Sequence, residues 1–212
     1  MEAEHVIWTL LFIFALSVPV GIASMSWWID REWDGEPSRG HAATQFNLTW
    51  TNSSLEVSFS GTLLRDPAPA DHPKGYLPGL WNYEVFEIFF ANEAEEYVEV
   101  EVDPYDHYLV YLLRTPRGLI NNGENLPISV SNNLSADVWQ GQLSIPLDYF
   151  PPNFTKFNAY RIFGSEDHRR YEALFPVSNG SETKPDFHRL HYFQSLPEGR
   201  FPANISRSPL WQ

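Results

Sequence analysis

Trp81-Asn82-Tyr83-Glu84-Val85-Phe86-Glu87-Ile88-Phe89-Phe90, a polar break over residues 92–95, and then Glu96-Tyr97-Val98-Glu99-Val100-Glu101-Val102-Asp103-Pro104 decide how this chain is read. With the period of two that an extended strand imposes, Phe86, Ile88 and Phe90 share one face, and Trp81, Tyr83, Val85, Glu87 and Phe89 share the other. In the second run Val98, Val100 and Val102 oppose Tyr97, Glu99, Glu101 and Asp103. The short link makes the pair an antiparallel hairpin. If the apolar faces enter a common core, the outer surface sets aromatic rings beside carboxylates, which is a candidate ligand face. By pattern alone a plainer reading comes first, because half-buried aromatics and alternating Glu are also what a solvated sheet face shows.

The rest of the chain bounds the answer. Its 212 residues suffice for one domain with a sizeable core. The 8 Trp, 10 Tyr and 15 Phe speak for a packed rather than a disordered chain. A formal charge of -13 argues against nucleic acid, whose phosphates require a basic footprint. With no cysteine there is no disulfide, thiolate nucleophile or cysteine-based zinc site.

Residues 6–23 carry no charge and end in Pro19, Gly21 and small residues, as the apolar and cleavage regions of a signal peptide do. The expected division is therefore a signal peptide, or in second place a signal anchor, over residues 1–23, and a single domain over 24–212. Six Asn-X-Ser/Thr sequons, at Asn47, Asn52, Asn133, Asn153, Asn179 and Asn204, exceed the roughly two that composition would supply. They point to glycosylation and a secreted, extracellular setting, with membrane attachment following only if the leader stays uncleaved.

Further strands are expected over Thr44–Trp50 and residues 54–60 as a hairpin, then over His107–Leu113 and residues 128–130, 138–145, 157–163 and 171–175. The Pro/Gly-rich stretch over residues 65–79 is a long loop, a kind that is often functional. Residues 186–193 allow a helical turn, and no segment sustains a helical period. Many short strands at regular spacing imply an all-β fold, an antiparallel β-sandwich of jelly-roll or immunoglobulin-like type.

Several motifs now carry a resemblance: Trp33-Asp34-Gly35, Leu64-Arg65-Asp66-Pro67-Ala68-Pro69-Ala70, the Leu80–Phe90 run, Tyr149-Phe150-Pro151-Pro152-Asn153-Phe154, Gly164-Ser165-Glu166-Asp167 and Lys184-Pro185-Asp186-Phe187-His188. In order and spacing they resemble uncharacterised protein family 0462, the chromosome 4 open reading frame 33-like proteins. That pattern is in turn similar to the family 9 carbohydrate-binding modules and the DOMON sandwich group. The resemblance implies a non-catalytic module of carbohydrate-binding type, with a carbohydrate or glycoprotein as partner. A sugar would stack on Trp81, with Tyr83 or Tyr97 beside it and Glu87 and Glu99 accepting its hydroxyl hydrogen bonds. Phe175 stands nearest the place of a second stacking ring. An extracellular protein-interaction module without sugar binding is the alternative, and a glycoside hydrolase using Glu99 and Glu101 comes third.

Other constellations weigh less. No cofactor or metal is expected as an essential part, although the resemblance leaves room for structural calcium among Glu93, Glu95, Glu96, Asp103 and Asp106. A Met/His haem site is disfavoured because the two methionines, Met1 and Met25, lie in or next to the leader. His188 and His191 read as structural or solvated rather than metal-binding. Ser165, Asp167 and His168 sit too close on one turn for triad geometry.

Overall fold

The computed structural model describes residues 25–178, 180–197 and 205–212. The leader and the sequons at Asn179 and Asn204 lie outside the described residues. In chain order the strands are β1 (Met25–Ile29), β2 (Thr44–Trp50), β3 (Ser54–Thr62), β4 (Gly75–Tyr76), β5 (Val85–Ala91), β6 (Tyr97–Val102) and β7 (His107–Leu113). They continue with β8 (Leu119–Asn121), β9 (Ser129–Ser135), β10 (Val138–Pro146), β11 (Lys156–Phe163), β12 (Arg170–Ala173) and β13 (Gln194–Ser195). Among the described residues the helical elements are short 3₁₀ turns, among them Leu80–Asn82 and Leu190–Tyr192. Among the described residues no helix is long and apolar enough to cross a membrane.

Two sheets form. One has the order β1-β2-β3-β10-β9, and the other runs β12-β11-β5-β6-β7-β4, with β13 paired to β11 and β8 to β7. The expected all-antiparallel pairing needs one correction, because β4 runs parallel to β7. Side-chain alternation sets the layers. Phe46, Leu48, Val57 and Phe59 of the first sheet meet Phe86, Ile88, Val98 and Val100 of the second in one apolar core. The reverse face of the first sheet is polar, carrying Gln45, Asn47, Ser58, Gln140 and Gln142.

The hairpin read from the sequence is held by its own turn. Asn92 accepts backbone hydrogen bonds from Ala94 and Glu96 through its side-chain oxygen, both at 3.0 Å, while Glu95 takes the left-handed conformation at φ 63. This fixes the register that sets Glu87 opposite Glu101 and Phe89 opposite Glu99. After β6, Asp103 repeats the device, accepting from the amides of Tyr105 and His107.

Three local readings differ. Strand β1 was not foreseen, because its run of Met, Ser and two Trp has no alternation of polarity. It is an edge strand, anchored where the Trp27 ring meets Phe157 edge-on at 5.0 Å. Strand β8 lies in a stretch whose Gly and Asn content reads as turn. The third difference is the largest: β5 and β6 are buried at every position, on both faces. The plain solvated face is therefore overturned, and what covers the hairpin determines the site.

Candidate functional site

The cover over the outer face of β5 and β6 comes from three directions. The loop after β4 closes in the 3₁₀ turn Leu80–Asn82, β7 and β12 contribute Tyr111 and Tyr171, and the C-terminal stretch lays Pro185, Phe187 and His188 across the sheet. Between them remains an open pocket of about 460 Å³.

Trp81 does not belong to the strand, as strict alternation would have it. It precedes β5 on the 3₁₀ turn, 42% exposed, and its ring stands at the pocket wall 6.2 Å from Tyr111. Arg169 holds that turn in place, donating to the carbonyls of Trp81 and Tyr83 and, at 2.7 Å, to that of Gly164. Glu87 and Glu99 line the same pocket, so three of the five expected ligand residues come together.

Tyr83 and Tyr97 do not join them. Tyr83 packs against an apolar cluster with Leu77, Leu80 and Val85, because it follows the turn rather than continuing a strand face. Tyr97 is fully buried, and its hydroxyl lies 2.7 Å from His188 Nδ1 and accepts from the Arg117 amide at 3.0 Å. It supports the pocket from below. Phe175 packs on Trp27 and Phe157 instead of facing Trp81, and the rings that share the pocket with Trp81 are Phe89, Tyr111, Tyr171 and Phe187.

At the pocket's floor the structure gathers three carboxylates. One oxygen from each of Glu87, Glu99 and Glu101 lies within 4.8 Å of the other two, and all three side chains are buried. Their positions follow from the register: Glu101 is the cross-strand partner of Glu87, and Glu99 lies two residues along the same strand. Among the described residues no donor group reaches Glu87 Oε1, and Glu99 and Glu101 hydrogen-bond each other, which requires a proton on one of the two. Burial pushes all three acids up. Glu99 reaches about 7, and the neighbouring carboxylates raise Glu87 and Glu101 further. Arg117 and Arg169 pull the other way, but Arg117 is engaged with Asp186 at 2.7 Å and Arg169 with the backbone carbonyls above.

Glu101 had been weighed only as half of a hydrolase pair, yet the alternation that placed Glu99 outward places Glu101 there too. Tyr111 was also legible in principle, because β7 pairs with β6 so that Tyr111 faces Glu99. Tyr171 and Phe187 arrive from distant segments and carry no local signal.

The acids first considered for calcium are scattered among other partners. Glu93 binds Lys156 at 2.7 Å, Glu96 binds Arg207 at 2.8 Å, Asp103 binds His107 at 2.7 Å and Asp106 binds Lys74 at 2.5 Å. His188 is hydrogen-bonded to Tyr97, and burial lowers it to about 4, whereas the His191 ring packs at a tilt against Tyr192. Ser165, Asp167 and His168 are exposed at one turn, 3₁₀ over Glu166–His168. Of the described sequons, Asn52, Asn133 and Asn153 are exposed and Asn47 is half-buried.

No protein-family model matches the chain. Among its relatives, the UPF0462 protein C4orf33 homolog of Mus musculus is 41% identical over 195 residues, covering 88% of this chain and 100% of its own length. The Homo sapiens UPF0462 protein C4orf33 is 40% identical over 81% of this chain and 87% of its own. The Danio rerio homolog is 38% identical over 81% and 88%. Among solved structures, a protein from Bacteroides uniformis ATCC 8492 provisionally described as carbohydrate-binding superposes with a TM-score of 0.64 at 14% identity, covering 80% of this chain and 84% of its own. A family 9 carbohydrate-binding module from Caldicellulosiruptor kristjanssonii, in complex with glucose, superposes with a TM-score of 0.49 at 15% identity, over 75% and 87%. At 14% identity the likeness to the Bacteroides uniformis structure establishes the β-sandwich fold alone.

Proposed function

The chain belongs to the UPF0462 protein C4orf33 family, and from that premise and the chemistry of its pocket we propose that it is a non-catalytic carbohydrate-binding module. The observation that carries this reading is the pairing, in one concavity, of an exposed Trp81 ring with a floor of buried carboxyl oxygens that no donor group among the described residues reaches. A pyranose presents an apolar face of C–H groups and an edge of hydroxyls. The ring takes the first, and the unpaired oxygens accept from the second.

Catalysis fits the arrangement less well. A glycosidase sets its acid and its nucleophile or base on either side of the scissile bond. Here the three carboxylates share one floor, on two neighbouring strands.

Replacing Trp81 with alanine is the discriminating change. With the ring 42% exposed and the rest of it packed at the pocket wall beside Tyr111, the fold should lose only about 1–2 kcal/mol. Affinity for a sugar identified on a glycan array should fall by about tenfold or more, the equivalent of ~1.4 kcal/mol. A blank array for the unaltered protein, or unchanged affinity in the variant, would leave the protein-interaction reading in its place.

We also propose that the module works after export. The support is the apolar stretch over residues 6–23 and the sequon excess, together with the placement of Asn47 and Asn133. Both lie on the polar face of the first sheet, on the opposite side of the sandwich from the pocket, where glycans would leave the binding site open. Protein recovered from the medium of expressing cells should lose mass on treatment with an N-glycosidase. Retention inside the cell with an unaltered mass would remove the proposal.

A further inference from the structure

We propose that Glu87, Glu99 and Glu101 form a binding site for a divalent cation of calcium type, and that a sugar entering the pocket completes its coordination. The second half of this inference rests on the sugar-binding reading, and the first half does not.

The geometry is that of a shared centre. Three atoms no more than 4.8 Å apart all lie within about 2.8 Å of a common point, close to the roughly 2.3–2.6 Å of calcium–oxygen bonds. The donors are all oxygen, with no sulfur or imidazole among them, which selects hard cations. They stand on the middle of two hydrogen-bonded strands whose backbones are fully buried, so little conformational freedom remains to be lost on binding.

Clustered acids alone would not suffice, since a merely acidic surface also clusters them. The independent observation is Glu87. Its side chain is 2% exposed, it lines the pocket, and its Oε1 has no hydrogen-bond partner among the described residues. Buried polar groups are normally paired, and an unpaired one calls for a missing partner. Among the described residues the cations that act on the trio are engaged elsewhere, Arg117 with Asp186 and Arg169 with the carbonyls of Trp81, Tyr83 and Gly164.

Charge decides between a divalent ion and a monovalent one such as a sugar ammonium. Once ionised, three carboxylates leave two negatives around one positive charge, which protons must then cover, and one around two charges, so a divalent ion displaces more of those protons than a monovalent one. Since each uncompensated buried charge costs several kcal/mol, the divalent ion is favoured. Calcium takes six to eight oxygens, more than three carboxylates acting singly provide. The open side of the pocket, toward Trp81, is where paired sugar hydroxyls would supply the others.

The test uses the full chain, freed of metal with EDTA and dialysed, then titrated calorimetrically with Ca²⁺. Parallel titrations with Tb³⁺ read the luminescence sensitised by the pocket's Trp and Tyr rings. Saturable binding of one ion is expected. Glu101→Gln and Glu99→Gln should each weaken it by about tenfold or more, because affinity follows the number of ligand charges. Glu93→Gln, at an exposed acid outside the pocket, should leave it unchanged. Loss of a carboxylate from the trio relieves repulsion, so a thermal melt of Glu101→Gln no lower than that of the unaltered protein excludes misfolding as the cause.

No binding up to about 10 mM Ca²⁺, roughly tenfold above the weakest protein calcium sites, would overturn the proposal. So would binding that all three variants retain, or binding of methylamine but not of Ca²⁺ that depends on Glu101. A glycan array run with Ca²⁺ and with EDTA separates the two readings. Sugar binding undiminished by EDTA would keep the module and remove the cation's part in it. Calcium bound beside a blank array would keep the cation and remove the sugar.

Discussion

Arg161→Met is expected to lower stability by about 3–5 kcal/mol, as breaking a buried ion pair from one side does. Arg161 and Glu84 are both almost wholly buried, and the guanidinium donates to the Glu84 carboxylate at 2.8 Å. It also donates to Thr44 Oγ1 at 2.9 Å and lies over the Trp139 ring, 5.0 Å from its centroid. The space it occupies exists because residue 61 is glycine: a Cβ there would stand 2.8 Å from the guanidinium nitrogen and 2.4 Å from Thr44 Oγ1.

Burial pushes Glu84 up, and Arg161 is the main influence drawing it back, so without Arg161 the acid rises further. A carboxylate whose folded-state pKa exceeds its unfolded one makes the folded state bind more protons between the two values. Stability then falls as pH climbs through that window. The loss in the variant should accordingly be smaller near pH 4.5 than near pH 7. Urea denaturation at both values measures this, and adding Glu84→Leu should restore much of the loss, because no orphaned charge is left. A double variant whose loss equals the sum of the two single losses would show that the two residues act independently.

The ion pair also marks where sequence reasoning stops. Alternation places Phe86 and Ile88 inward and Glu87 outward, and both placements hold, because a residue's face on a strand depends only on its parity. Glu84 stands just before β5, where that parity has not begun, and its partner is 77 residues away. Trp81 shows the same limit. The strand pattern cannot supply its position, because a 3₁₀ turn held by Arg169 sets it, and nothing in the local sequence announces a clamp 88 residues distant.

The outer face of the hairpin reads as solvated for a related reason. Alternating Glu is ambiguous between water and a pocket until the covering segment is known, and that segment arrives through Pro185 and Phe187, near the end of the chain. The carboxylates were visible in the sequence, whereas their convergence depends on the register that the Asn92 turn imposes.

Phe86→Ala should cost about 3–5 kcal/mol, and its value lies in separating the two faces of one strand. The Phe86 ring has 0% exposure, stacks on Phe59 at 4.4 Å and meets Phe46 edge-on at 5.6 Å, so truncation opens a cavity where the two sheets join. The aromatic partners sit on β2 and β3, in a layer whose strands are fixed by their own ladders and cannot close over the gap. For a chain of this size the loss corresponds to a melting temperature lower by roughly 6–20 °C. Phe89→Ala provides the contrast. That ring lies on the outer face, against Tyr160 at 5.4 Å and at the wall of the pocket, so its loss should change both stability and ligand binding. Phe86→Ala, measured well below its own melting point, should alter stability and leave binding intact, because Phe86 touches the core and Glu87 the pocket. A melt moved by less than about a degree would mean that the ring is not in the core, and the outward assignment of Glu87 would fall with it.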